Sequence, residues 1–283
     1  MNKKLLPYFK GKDFTLYNGD CFEILKKLPK HSFNMIFADP PYFLTDNGIT
    51  CRSGKEIKKK ENPWDKPKTV QEKIAYNKKW IALCKSLLTS DGTIFISGTF
   101  HNIYTIGVAL EMNGFDIINN ITWIKRNPPP NISCRSLKHS TETILWAKVK
   151  KTKHKFNYPL MKTYNNNKQM NDIFFTSLTK PSERKEGKHP TQKPLDLLKM
   201  ILDCATNEGD LVLDPFNGSG TTGIACVVKN RKYIGIDNVN EYLEITKKRY
   251  VKEKEKKQNE KRIWRNYESF SSCYCGLWIF YRF

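Results

Sequence analysis

Short apolar runs rich in β-branched and aromatic residues alternate along this chain with stretches of helical periodicity, and that alternation leaves few folds open. Parallel strands need a crossover between them, so a strand–helix–strand rhythm points to an α/β fold built on a parallel sheet. The runs are Phe33–Ala38, Thr93–Ser97, Phe115–Ile124, Leu211–Leu213 and Tyr233–Ile236, with Thr143–Ala147 suited to pair with the third. Helical stretches cover 71 to 88, closed by Ser90-Asp91-Gly92, and 102 to 112, stopped by Gly114. A further helix is expected after Pro194, and a charged one from Asn240 into the run Lys252–Lys257.

Residues 127–188 break the rhythm. They are rich in Pro, Asn, Ser, Lys and aromatics without sustained periodicity, and are expected to form a separate insert. The C-terminal residues 257–283, with many aromatics and Cys273-Tyr274-Cys275, match no pattern tied to chemistry and are expected to be disordered.

Charge narrows the partner. The chain carries 49 Lys and Arg against 28 Asp and Glu, a formal net charge of +21. That suits a polyanion, although charge alone is equally compatible with a merely basic surface. No apolar run follows the opening lysines and none approaches the roughly 20 residues of a membrane span, so a cytoplasmic protein away from membranes is expected. The eight cysteines form no CxxC pair, so neither a zinc site nor a disulfide framework is expected.

Two strand ends carry chemistry. Asp214-Pro215-Phe216-Asn217-Gly218-Ser219-Gly220-Thr221-Thr222-Gly223 follows one strand and opens a helix. Small residues there let the backbone approach a ligand, and a helix N-terminus offers unpaired amides. The next strand ends in Gly235-Ile236-Asp237, about 20 residues on, where a carboxylate can accept two ribose hydroxyls. A Walker loop would need a lysine that is missing here, whereas Gly218, Gly220 and Gly223 leave a dinucleotide open on spacing alone. Asp39-Pro40-Pro41-Tyr42 ends the strand Phe33–Ala38, at the edge where open α/β sheets place their ligand crevice. An exocyclic base amine is a poor nucleophile because its lone pair is delocalised into the ring. The Asp39 carboxylate and the Pro40 carbonyl can accept its two hydrogens and stabilise the charge that builds on nitrogen. Pro40 and Pro41 stiffen those acceptors, and Tyr42 can stack on a base taken out of the duplex. Among the histidines, His101, His139 and His189 lack a spaced acidic or cysteine partner and are read as structural.

With both motifs present, the chain resembles the DNA amino-methyltransferases over about residues 13–250. The order, catalytic tetrapeptide first and donor loop last, is similar to the circularly permuted beta class. His189-Pro190-Thr191-Gln192-Lys193-Pro194 and Leu16-Tyr17-Asn18-Gly19-Asp20-Cys21 look like two further motifs of that class. The resemblance implies a Rossmann-like fold that binds S-adenosyl-L-methionine, split into a catalytic half (13–126), a target-recognition insert (127–188) and a cofactor-binding half (189–256). It implies catalytic roles for Asp39, Pro40, Pro41 and Tyr42. Asp20, Asp214, Phe216, Gly218, Ser219, Gly220, Thr221 and Asp237 would then line the donor, with Thr191 or Lys193 at its carboxylate end and no metal. Within the class, Ile96–Tyr104, Asn119–Asn131 and His139–Ala147 look closest to DpnA-like adenine-N6 methyltransferases acting on GATC in restriction–modification systems. Such relatives take double-stranded DNA, some take single strands, and many of the class form homodimers.

The insert supplies Lys125, Arg126, Arg135, Lys138, Arg184, Lys185 and Lys188 as candidate DNA contacts. The loop Thr45–Lys68, with its Lys58-Lys59-Lys60 run, is a candidate cover for the flipped base. Cytosine-N4 methylation and a non-catalytic DNA-binding subunit remain the alternatives.

Overall fold

The computed structural model describes residues 5–43, 49–52, 55–58, 68–131 and 134–275. In chain order the elements are β1 (Phe9–Gly11), β2 (Phe14–Asn18), α1 (Cys21–Leu25), β3 (Phe33–Ala38), β4 (Ile49–Arg52), β5 (Lys55–Lys58) and α2 (Val70–Leu87). Then come β6 (Leu88–Gly98), α3 (Ile103–Met112), β7 (Phe115–Lys125), β8 (Thr141–Val149), α4 (Tyr158–Thr163) and β9 (Ile173–Thr176). A 3-10 turn at Pro181–Arg184 leads into α5 (Leu195–Ala205), β10 (Leu211–Asp214), α6 (Thr221–Val228), β11 (Lys232–Asp237) and α7 (Asn240–Cys275).

Nine strands form one sheet in the order β1-β2-β11-β10-β3-β6-β8-β7-β9. The five from β2 to β6 are parallel, and β8 runs antiparallel to both its neighbours. Period-two alternation sends successive side chains to opposite faces. Met35, Phe37, Phe95 and Val212 join the core under α5, α6 and α7, while Ile36, Ala38, Ile94, Ile96 and Leu213 join the core under α1, α2 and α3. Both faces are thus covered, which is why these strands read as nearly continuous apolar runs. Helix α2 starts at a capping box: the Thr69 hydroxyl accepts from the Glu72 amide, and the Glu72 carboxylate accepts from the Thr69 amide.

The topology positions the site. From β3 the chain leaves through α2 to β6 on one side, and from β10 it leaves through α6 to β11 on the other. Adjacent strands whose connections depart in opposite directions open a crevice at their C-terminal ends. The crevice here lies between Asp39 and Asp214.

Three expectations need correction. Residues 127–188 are not a separate insert: Thr141–Val149 forms β8 inside the main sheet, and β9 extends that sheet beside β7. The region shows little helical rhythm because its one α-helix between β8 and β9, α4, is only six residues long. Ser90-Asp91-Gly92 does not close α2 but lies within β6, which runs from Leu88 to Thr93 while β3 runs only from Phe33 to Met35. Gly92 sits at that irregularity, where a Cβ would lie 2.8 Å from the Phe33 carbonyl oxygen. The C-terminal residues do not begin as coil at 257, since α7 continues to Cys275. Lys257 anchors it there by donating to the Val227 and Val228 carbonyls at the end of α6. The loop Thr45–Lys68 lies outside the described residues except for the β4–β5 ladder and Lys68.

Among the described residues no helix is long and apolar enough to cross a membrane, and no group of His, Cys, Asp or Glu is arranged to hold a metal ion.

Phe95 in β6 is fully buried and stacks on Trp146 of β8, with centroids 5.2 Å apart and planes 9° off parallel. Phe95→Ala should lower the unfolding free energy by about 3–5 kcal/mol in urea titration; a loss under about 1 kcal/mol would mean this layer does not hold the sheet together.

Candidate active site

The ladder of β3 stops where it must, because Pro40 and Pro41 have no amide to donate. The chain then turns sharply through Phe43, whose φ is +54°. The turn is fastened from the next strand: Asn102, just after β6, donates through Nδ2 to the Pro41 carbonyl at 3.2 Å and accepts through Oδ1 from the Thr99 amide at 3.1 Å.

Around Asp39 the structure builds a buried row of alternating charges. Lys193 Nζ donates to Asp39 Oδ2 at 2.6 Å and to the Tyr42 hydroxyl oxygen at 2.7 Å, and the Tyr42 hydroxyl donates to Asp39 Oδ1 at 2.7 Å. Glu142, from β8, lies 3.5 Å from Lys193 Nζ and is paired with Lys125 at 2.7 Å. Burial pushes the Asp39 carboxyl above the ordinary aspartate value, against the pull of Lys193. Burial likewise opposes charge on Glu142, but Lys193 and Lys125 together hold it below the usual range. For Lys193 burial is outweighed by its two carboxylates, which raise its affinity for the proton.

Three residues expected to meet a ligand have protein partners here. Lys193, which with Thr191 was a candidate for the donor's carboxylate end, donates to Asp39. Tyr42, expected to stack on the base, is 8% exposed, and the Lys193 ammonium meets it at the hydroxyl tip, 2.7 Å from the oxygen. Lys125, expected on a phosphate, has its side chain 13% exposed and pairs with Glu142. Glu142 was missed as a site residue: it lies within the quoted stretch His139–Ala147 but far in sequence from Asp39 and Lys193, and only the β6–β8 pairing brings it to the cleft.

The glycine loop is held from below. Asp214 accepts from the Phe216 amide at 3.0 Å and from the Thr222 hydroxyl at 2.6 Å, so its carboxylate braces the turn; burial pushes its carboxyl up to about 7. Gly220 caps α6 at φ +75°, where a Cβ would meet Thr246 at 2.3 Å, so both the conformation and the space demand glycine. Arg249 of α7 donates to the Ser219 carbonyl at 2.6 Å and to the Thr221 hydroxyl oxygen at 3.1 Å. Sequence reading missed Arg249 too, since α6, β11 and the first turns of α7 separate it from the loop it supports. Asp237 accepts from the Gly218 amide at 2.7 Å and from the Val239 amide at 2.9 Å, which ties the ends of β10 and β11 together. Two carboxylate oxygens offer about four acceptor sites, so Asp237 keeps capacity for hydroxyl donors. Burial raises its carboxyl to about 6. Asp20, at the end of β2, caps α1 through Oδ1 alone, accepting from Phe22 and Glu23. His189 packs edge-on to Tyr242 with centroids 4.3 Å apart; burial, then Lys193 and Arg249, lower it to about 4, so its ring is neutral near pH 7.

One cavity of about 400 Å³ joins the two motifs. Asp39, Pro40, Pro41 and Tyr42 line it, as do Asp20, Thr191, Lys193, Asp214, Phe216, Gly218, Ser219, Thr221 and Asp237; Gly220 shapes the loop from behind. Phe216 also packs edge-on against Trp80 of α2, so its ring seats the loop as well as lining the cavity. The carboxylate at the end of β11 suits a ribose.

Comparison with known proteins agrees with this geometry. The chain is 51% identical over 251 residues to the Type II methyltransferase M2.DpnII of Streptococcus pneumoniae, covering 88% of this chain and 94% of that relative. It is 50% identical over 248 residues to the Type II methyltransferase M2.LlaDCHI of Lactococcus lactis subsp. cremoris, covering 87% and 92%. The crystal structure of an M1.HpyAVI–SAM complex superposes with a TM-score of 0.64 at 33% identity, over 84% of this chain and 98% of that one. The cytosine-N4-specific PvuII DNA methyltransferase, at 19% identity and a TM-score of 0.70 over 88% of this chain and 90% of that one, shares the fold. The family profile described as DNA methylase matches residues 33–248, from the strand that presents Asp39 to the helix that supports the glycine loop. With both motifs, their order and their common cavity inside that match, the chain belongs to the N6_N4_Mtase family of DNA methylases.

Proposed function

We propose that the protein transfers the methyl group of S-adenosylmethionine to N6 of adenine in DNA, within GATC, as the modification arm of a cytoplasmic restriction–modification system. The observation that carries this reading is Asp39, held at a proline-stiffened strand end inside the cavity shared with the glycine loop. The Type II methyltransferase names of its relatives, and the solution of one structural neighbour with the donor bound, support it.

When bound, the donor supplies an electrophilic methyl group on a sulfonium sulfur. The Asp237 carboxylate, the Gly218–Ser219 backbone and the Asp20 side chain would hold it; Thr191 lies on the same wall. Asp39 and the Pro40 carbonyl accept the two amine hydrogens and draw the nitrogen toward tetrahedral geometry. Each carboxylate oxygen can accept more than one hydrogen bond, so the amine can reach Asp39 beside Lys193. The Lys193 ammonium meets Tyr42 at its hydroxyl rather than over its ring, so this contact does not itself bar the base from stacking on Tyr42. The amine proton then passes to solvent, and the rest of the work is alignment.

Labelled methyl transfer to DNA lacking GATC methylation, followed by mapping of the modified base, tests the assignment. The expected product is N6-methyladenine in GATC; N4-methylcytosine would establish the alternative, and no incorporation would leave a binding protein. Asp39→Ala should reduce kcat on the order of 100- to 1000-fold with the fold intact. A second outcome concerns pH. Asp39 must be ionised to accept hydrogens, and the Glu142 charge helps raise its carboxyl. Glu142→Gln removes that repulsion, so Asp39 stays ionised to lower pH and the acid limb of kcat should move down. An unshifted limb would exclude electrostatic coupling between the two carboxylates.

A further inference from the structure

Beside the catalytic turn, the lip of the cleft carries an aromatic cluster that donor binding and methyl transfer leave unused. Phe100 lies two residues past β6, on the same sheet edge as Asp39, and is 53% exposed. Its ring stacks on His139 at 5.2 Å and 21°, and lies 3.9 Å from the His101 ring. Leu137, two residues before His139, is 90% exposed, and Tyr104, the second residue of α3, is 75% exposed.

These groups sit on a braced mount. The turn that presents Phe100 is closed by Asn102, the same side chain that holds the Pro41 carbonyl, and Lys73 of α2 donates to the His101 carbonyl at 2.9 Å. The position of Phe100 is therefore coupled to the backbone that presents Asp39. The electrostatic setting is one-sided: neither 97–110 nor 126–141 contains an acidic residue, and Arg126 and Lys138 are exposed.

A base pulled from a duplex leaves its neighbours unstacked, and the cost falls when an apolar side chain enters the step. A pre-stacked aromatic loses little side-chain freedom in doing so, and flanking cations suit the phosphates on either side. We infer that the Phe100–His139 stack, with Leu137, is a wedge that enters double-stranded DNA next to the extruded base and fills the space it leaves. The inference rests on the methylation reading above and adds to it the group that stabilises the open duplex.

The test compares methyl transfer to two GATC duplexes, one fully paired and one with an abasic site opposite the target adenine. An unpaired target is cheaper to extrude, so Phe100→Ala should lose about 10-fold or more in kcat/KM on the paired duplex and stay within about 2-fold of wild type on the abasic one. Leu137→Ala should show the same pattern more weakly, and Phe100→Leu should restore most of the loss. Equal losses on both duplexes, or none, would overturn the wedge while wild-type transfer keeps the methylation reading standing. A loss that tracks dissociation of a dimer in sedimentation would assign the patch to a second copy of the chain and also overturn it. If wild type methylates neither duplex, the underlying reading itself fails and takes the wedge with it.

Discussion

The pairing of β10 with β3 is the constraint on which the rest of this molecule depends. It aligns Val212 with Met35 and Leu213 with Ile36, and it is reinforced where the Leu211 amide donates to the Asn34 side chain, 177 positions away in sequence. Because crossovers leave these two strands in opposite directions, their ends cannot be covered by one connection, and a cleft opens between them. The acceptor turn after β3 and the glycine turn after β10 therefore share a cavity as a consequence of sheet topology. Neither turn touches the other through a chain neighbour.

Within that cleft the electrostatics join two motif residues, Asp39 and Lys193, to two residues from neighbouring strands, Glu142 and Lys125. Placing four charges in a poorly solvated space is costly unless each has an opposite partner, and removal of one leaves an uncompensated neighbour. Asp39, Lys193, Glu142 and Lys125 meet this demand in sequence, drawn from β3, the loop before α5, β8 and β7. Their value lies less in stability than in registry: they fix Tyr42 against Asp39 and keep a carboxylate ready in a pocket that would otherwise favour its protonated form. The glycine loop is treated similarly. Arg249 and Asp214 bind its backbone and hydroxyls from below, so the face toward the cavity is left to small side chains and amides.

The lip of the cleft follows the same plan on a larger scale. Asn102 connects the Pro41 carbonyl to the turn carrying Phe100, so the group that handles the amine and the group poised at the duplex share one mount. Expected as structural histidines, His101 and His139 prove to be exposed members of that aromatic stack.

The sequence alone determined the α/β class, the runs that became β3, β10 and β11, and the two motifs, because these depend on local quantities: side-chain period, proline's missing amide, glycine's freedom at Gly220. It also determined the family, since two motifs in a particular order are a linear property. What lay beyond it were the roles of residues whose partners are remote. Thr143–Ala147 read as a strand suited to pair with Phe115–Ile124, yet it fell inside the expected insert; only the folded sheet set it between β6 and β7 and brought Glu142 to Lys193. Lys193, with Thr191, was a candidate for the donor because the motif implied one; that it also meets Asp39 is set by which buried carboxylate lies near it in space. The folded chain decided those assignments, because the energy of a buried charge depends on what surrounds it in space and not on what precedes it in the chain.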